Sequence, residues 1–333
     1  MKRIVAVCLC YAAVLFSIPF FISRGSAASA EGAGEVSPPA SGWGDTLKVY
    51  NHKTDKVMLL DSFDYVVGVV AAEVPATYEE EALKANAVAA YTYAMRKKEY
   101  TEAHPGYAQE QHKGAHVCTN YAHCKSWKSE DERREMWGGK YDEYTERVEA
   151  AVRAVYGEML LYDGAPALTV FYSISAGVTA SCADVWGNDV PYLQSVDSSW
   201  DENEEGFLTT VTLSDAEVAE KLSGCALPDD PDGWLVVTDR ADSGYVRSVA
   251  AGDKTFTGGE IRKLFGLRSN SFEISRADGA FTFTVKGYGH GVGMSQSGSQ
   301  AMALEGYSYR EILYHYYPGT VIAEHYEPAE KAE

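Results

Sequence analysis

The sequence predicts an α+β fold: one extracytoplasmic domain with an inserted β-rich subdomain, after an N-terminal membrane helix. Three observations predict it. Lys2 and Arg3 precede twenty uncharged residues, Ile4 to Ser23; helical periodicity marks 81–94 and 141–162 between short strand-like runs; and strand signals recur through 201–286. No repeat of solenoid period interrupts this order.

At about 1.5 Å per residue the run from Ile4 to Ser23 reaches roughly 30 Å, enough to cross a hydrocarbon core. The basic residues ahead of it place the N-terminus inside and the rest of the chain outside. Ala28-Ser29-Ala30 also has the small-residue form of a signal-peptidase site, so residues 1–24 read as a retained anchor or a cleaved signal. Residues 25–45, rich in Gly, Ser, Ala and Pro, read as a flexible linker. The domain is expected over 46–323, with a polar loop at 104–128, an insert at 201–286 and an acidic tail at 324–333.

Composition narrows the partners. The 333 residues carry 46% hydrophobic residues, enough for a sizeable core, and a formal net charge of −19. Such an acidic chain repels nucleic acid and anionic lipid headgroups.

LKVYNH and KVMLLDSFDYVVGVV read as short strands leading into a helix that carries Glu73. Seven uncharged residues, Val66 to Ala72, precede that carboxyl, and Pro75 follows two positions later. Proline disfavours helix at Val74, so Glu73 stands at a helix end beside a bend. Apolar neighbours disfavour a charged carboxylate and raise its pKa towards the range of a proton donor. Glu73 is therefore the candidate general acid. Thr77 and Glu80 have capping-box spacing, and Ala82, Leu83, Ala85, Ala89, Ala90 and Tyr93 continue a second helix. Within it Lys84 either reaches a substrate hydroxyl or pairs with Glu80 four residues earlier, worth about 0.3 kcal/mol.

Residues 99–135 are polar and His-rich. His112, Cys118, His123 and Cys124 give H-x5-C-x4-H-C within thirteen residues, a donor set that suits tetrahedral Zn. A Cys118–Cys124 disulfide is the alternative outside the membrane, and His104 and His116 are alternative ligands. Four protein ligands would close the site and make the metal structural.

VEAAVRAVYGEMLLYD reads as a scaffold helix stopped at Gly157. LTVFYSISAGVTASCADVWG then reads as a strand opening into a loop of small hydroxyl residues, with Trp186, Tyr192 and Trp200 as candidate stacking faces. In the insert, VTLSDAEVAEKL predicts a strand and a helix capped by Ser214, DPDG a turn, and GGEIRKLFGL another short helix. Cys182 and Cys225 are left as paired or free. GYGHGVGMSQSGSQAMALEG sets glycines around His290 ahead of a helix from Ser295 to Glu305, either to line a site or to shape a turn.

Three of these stretches resemble one family. GVVAAEVPAT (Gly68 to Thr77) with EALKANAVAAYTYA (Glu81 to Ala94) is similar to the signature of stage II sporulation protein D, roughly GVVAAEMPAS and then EALKAQAVAARTYA. Gly287 to Thr320 resembles that family's C-terminal motif, and Tyr172 to Trp200 a middle one, so the likeness covers most of 47–320. Tyr91 stands where the family usually has Arg, Asn86 where it has Gln, and Ala176 interrupts an S-T-S-G-G-like run.

The resemblance implies a peptidoglycan lytic transglycosylase acting on peptide-stripped glycan strands during sporulation engulfment. It implies Glu73 as the acid, with Lys84, Tyr91, Ser173, Ser175, His290, Ser295 and Gln296 lining the substrate, and zinc on His112, Cys118, His123 and Cys124. Tyr91 would replace the usual Arg by stacking on sugar. Implied partners are glycan strands, a peptidoglycan amidase/endopeptidase and a polytopic membrane protein, with the chain anchored in the membrane between mother cell and forespore. Two other readings stand beside it. One is a non-catalytic enhancer of a cell-wall amidase; the other is a zinc hydrolase with Glu73 as general base, which lacks an evident open three-ligand site.

Overall fold

The computed structural model describes residues 45–324, so the apolar run at Ile4 to Ser23 and the acidic tail beyond Glu324 lie outside the described residues. Among the described residues no helix is long and apolar enough to cross a membrane. The chain folds as a mixed α+β structure of several small sheets.

Strands β1 (Thr46–Asn51) and β2 (Lys56–Asp61) form a hairpin in register Thr46↔Asp61 to Asn51↔Lys56, with Asp55 in the left-handed region at its turn. Asp61 ends the second strand by accepting the Phe63 N–H at 2.8 Å, which starts α1 (Ser62–Glu73) earlier than the strand-like composition of this run predicts. All of α1 from Ser62 to Ala71 except Asp64 is buried, so the helix runs through the interior. Val74 closes it in extended backbone before Pro75, the break expected from proline.

Helix α2 (Glu80–Ala103) is the central column, packed against α1, α5 (Tyr141–Ala154), α9 (Gln296–Leu304) and α10 (Tyr309–Tyr316). The capping box expected from Thr77 and Glu80 does not form. Glu79 is the N-cap, without a side-chain cap bond, and its N–H donates to Gln300 Oε1 at 2.7 Å. A tertiary contact thus supplies what a local cap would. Helix α3 (Pro105–His112) leads to β3 (Val117–Cys118), which pairs parallel to β1, and α4 (Glu130–Trp137) follows behind a Ser129–Glu132 capping box. Strands β4 (Met159–Tyr162) and β5 (Ala165–Pro166) join β14 (Val321–Ala323) in one small sheet. The strand expected from Leu168 shrinks to β6 (Phe171–Tyr172), parallel to β13 (Met294–Ser295). The short α6 (Cys182–Trp186) follows.

Between residues 208 and 286 lie two antiparallel sheets of three strands. β7 (Leu208–Ser214) pairs with β12 (Ala280–Lys286), itself paired to β11 (Ser271–Ala277). β9 (Val246–Ala251) is flanked by β8 (Leu235–Arg240) and β10 (Lys254–Thr257). Helices α7 (Asp215–Lys221) and α8 (Gly258–Phe265) start at capping boxes, Ser214 with Glu217 and Thr257 with Glu260. Apolar side chains from this stretch gather around Phe272, Phe281 and Phe283 in their own cluster, separate from the larger one built on α1, α2 and α5. Cys182 and Cys225 are free thiols.

Candidate active site

Glu73 is half-buried at the C-terminal end of α1. Its Oε1 accepts the Ser126 N–H at 2.6 Å. The segment supplying that amide lies across the helix: Lys128 N–H donates to Gly68 O at 3.1 Å, and Trp127 sits over Gly68. A Cβ on Gly68 would strike both Trp127 and the Lys128 carbonyl, so the glycine of VVGVV permits this close approach. The surroundings of Glu73 are therefore more polar than the uncharged run before it suggests.

Lys125 is the other polar neighbour. It is 5% exposed, and its Nζ lies 3.0 Å from the centre of the Phe171 ring and 5.1 Å from that of Tyr93. Burial lowers its pKa to about 7, opposed by the charges of Glu73 and the Cys124 thiolate. Its charge acts on both Glu73 and His290.

His290 is carried by a run in which every second residue is glycine. Gly287, Gly289, Gly291 and Gly293 have φ of 74°, 128°, 85° and 78°, the left-handed region, and a Cβ at each would strike a neighbour. This backbone zips onto the middle loop: Tyr288 N–H to Ile174 O at 2.7 Å, Ile174 N–H to Tyr288 O at 3.0 Å, and Ala180 N–H to Gly291 O at 2.7 Å. His290 Nδ1 accepts the Val292 N–H at 3.1 Å, which leaves the proton on Nε2 to meet the Phe171 carbonyl. Its ring packs between Tyr172 and Trp186, with centroids 5.3 and 5.1 Å away. Burial first, then the Lys125 and Arg262 charges, push its pKa down to about 3, so the imidazole is neutral at physiological pH.

The hydroxyl residues of the two motif loops hold backbone. Ser175 is fully buried; its Oγ donates to Ser198 O at 3.1 Å and its N–H to Asp201 Oδ2 at 3.1 Å. Ser295 is fully buried too and caps α9 by accepting the Gly298 N–H. Ser173 is half-buried and its carbonyl accepts the Ser297 N–H and Oγ at 3.0 and 2.9 Å. Gln296 is 4% exposed, with a buried Nε2 that lacks a hydrogen-bond partner. Behind these loops Asp201, 1% exposed, accepts from Ser198 Oγ and Ser297 Oγ as well as Ser175 N–H, binding the middle and C-terminal motifs to one carboxylate.

Two further expected lining residues have contacts of their own. Lys84 pairs with Glu80 at 2.6 Å and Glu81 at 2.9 Å, and Glu81 in turn accepts the Tyr309 N–H of α10. Tyr91 packs on Tyr156, whose hydroxyl bonds Ser62 at the start of α1, the opposite end of that helix from Glu73. Burial first, then neighbouring Tyr156 and carboxylates, raise the Tyr91 pKa beyond the range where phenols ionise.

Next to the acid, the ligand atoms of His112, Cys118, His123 and Cys124 all lie within 4.8 Å of one another. His112 Nε2 to His123 Nδ1 is 2.9 Å, and Cys124 Sγ lies 3.4 and 3.5 Å from those nitrogens. These separations suit four donors about one ion at bond lengths of about 2.0–2.3 Å. Both cysteines are free. The bond from Cys118, then those from His112 and His123, hold the Cys124 thiol well below its ordinary range, and the same bond raises Cys118. Cys124, Lys125 and Ser126 are consecutive, so one short segment connects the cluster to Glu73.

The family model described as Stage II sporulation protein matches residues 50–162. Stage II sporulation protein D of Bacillus subtilis is 35% identical over 319 residues, 93% of this chain and 91% of that protein. The chain belongs to the stage II sporulation protein D family. A second member, from Bacillus amyloliquefaciens, is 35% identical over 84% of this chain and 79% of its own length. A more distant relative, the amidase enhancer of Bacillus subtilis, is 26% identical over 310 residues, 77% of this chain and 40% of that protein.

Sequence reading missed Lys125, Ser126 and Asp201 in this member of the family. Lys125 and Ser126 sit in a polar run where nothing but adjacency to Cys124 marks them, and that adjacency is a usable signal, because a metal ligand fixes the backbone of its neighbours. Asp201 carries no local mark at all.

Proposed function

We propose that this chain is a peptidoglycan lytic transglycosylase, cleaving between N-acetylmuramic acid and N-acetylglucosamine to leave a 1,6-anhydro end. The observation that carries this reading is the setting of Glu73: one half-buried carboxyl at a helix end, oriented by the Ser126 amide, with the Lys125 charge acting on it. Glycosidases that use water normally need a second carboxylate. The other acid tied to these motifs, Asp201, is fully buried and occupied by three donors. A single acid suffices when the muramyl C6 hydroxyl is the nucleophile. Glu73 protonates the departing glycosidic oxygen, the C6 oxygen bonds to C1, and the Glu73 carboxylate takes the C6 hydroxyl proton, which restores the acid. The Ser126 N–H holds one carboxylate oxygen so that the other faces the sugar, and the neutral His290 adds no charge to the site.

In this reading His112, Cys118, His123 and Cys124 hold a zinc ion. A closed four-donor site supplies structural order and no chemistry. The domain works outside the membrane during engulfment, on strands stripped of peptide, alongside an amidase/endopeptidase and a polytopic membrane protein. A second reading, enhancement of an amidase by binding alone, is favoured by the likeness to the amidase enhancer.

Glu73→Gln separates the two. It keeps the shape and the Ser126 bond but removes the transferable proton, so the rate of glycan cleavage falls by about a hundredfold or more, with unchanged melting and unchanged effect on an amidase. Undiminished cleavage by the variant would refute the proton-transfer role.

A further inference from the structure

Beyond His290 the site continues onto residues 262–288. Trp186 is 43% exposed on one flank of His290, and Tyr288, two positions before it, is 44% exposed. The Arg268 guanidinium stacks on the Tyr288 ring at 4.2 Å, and the Arg268 carbonyl accepts the Gly289 N–H at 3.0 Å, which ties this arginine to the glycine run. Arg268 Nε is buried and lacks a hydrogen-bond partner. Arg262, in the last turn of α8, acts on His290, Tyr288 and Tyr245, and its one side-chain hydrogen bond among the described residues goes from Nε to the Leu267 carbonyl at 3.4 Å. Neither guanidinium is ion-paired among the described residues, although the chain carries 48 acids against 29 bases. Partly buried cations without counter-charges are costly, and a guanidinium fork matches a carboxylate.

We propose that Arg268 forms a carboxylate-binding subsite beside His290 that receives the free lactyl carboxylate of a muramyl residue. This deepens the reading given above and rests on it for the identity of the sugar. Trp186 and Tyr288 offer ring faces to the pyranoses on either side, and stacking on Tyr288 fixes the Arg268 fork. A muramyl residue that keeps its stem peptide has an uncharged amide at this carbonyl. The subsite therefore distinguishes the free acid from the amide.

The test is binding by the full chain carrying Glu73→Gln, which cannot turn over. Muramyl oligosaccharides from peptide-free glycan are compared as free acids and as methyl amides. The free acid binds roughly ten- to hundredfold more tightly, the worth of a hydrogen bond between charged groups. Arg268→Met in the same background abolishes that preference, whereas Arg268→Lys keeps part of it. Equal affinity for the two glycans, no binding of either, or an equal loss on both in Arg268→Met would overturn the subsite. The comparison of ligands needs no arginine variant, so a folding defect in Arg268→Met leaves it decisive. Product chemistry judges the transglycosylase reading separately, because a chain that leaves no anhydro sugar could still discriminate the two glycans.

Discussion

Lys125 is the residue whose placement most needs a reason beyond stability. Its ammonium is 5% exposed and lies against two aromatic rings. A buried cation destabilises a fold unless it is paired, and an apolar side chain of similar length is often neutral or stabilising by about 1–4 kcal/mol. Lys125→Met is therefore expected to melt at the same temperature or higher while cleaving glycan at least about tenfold more slowly, since the charge beside Glu73 and His290 is gone. Thermal unfolding and turnover measured on one preparation check this. Joint loss of stability and activity would assign Lys125 to packing alone. Residue type explains why sequence found some of this site and not the rest. Glu73, His290 and the four His/Cys residues carry chemistry in their side chains and stand in spaced motifs. Lys125 and Asp201 become special only by what the fold places against them, as when Ser175, Ser198 and Ser297 converge on Asp201 from separate stretches.

At the scale of elements, the contact between α1 and 126–128 decides whether Glu73 is held. Gly68 makes that contact possible, with the Lys128 N–H bonded to its carbonyl. Gly68→Ala would force a methyl into Trp127 and the Lys128 carbonyl, an overpacking cost of about 1–3 kcal/mol. The expected outcome is a lower urea midpoint together with slower cleavage, because the Ser126 amide moves with Lys128; an unchanged midpoint would show that the segment adapts. Local signals predicted the elements where local chemistry decides. Ser214, Ser295 and the proline break after Glu73 behave as read. They failed at Thr77, where Gln300 from α9 takes the Glu79 N–H, and overran at Leu168, where the strand keeps only Phe171–Tyr172 and the glycine run orders the loop that follows.

At the scale of the whole molecule, the chain order of the motifs is unlike their arrangement in space. The 170–180 loop and the 287–297 run zip together, the segment after Cys124 lies between them and α1, and Tyr245 reaches from the β8–β9 turn to the Ala176 N–H at 3.3 Å. No periodicity announces such long-range pairings. The His/Cys cluster anchors the polar loop that supplies Lys125 and Ser126, so metal should contribute to stability: about 2.7 kcal/mol at a hundredfold excess over its Kd. A strong chelator should lower the melting midpoint of the parent and leave that of Cys118→Ser, in which elemental analysis should find no zinc, unmoved. Equal zinc content in parent and variant would reject this ligand set.

The most direct test of the central claim is mass spectrometry of the sugars released from peptide-free glycan by the full chain and by Glu73→Gln. The account predicts 1,6-anhydromuramyl ends from the parent and none from the variant. Reducing ends one water heavier, or anhydro ends from both proteins, would contradict it.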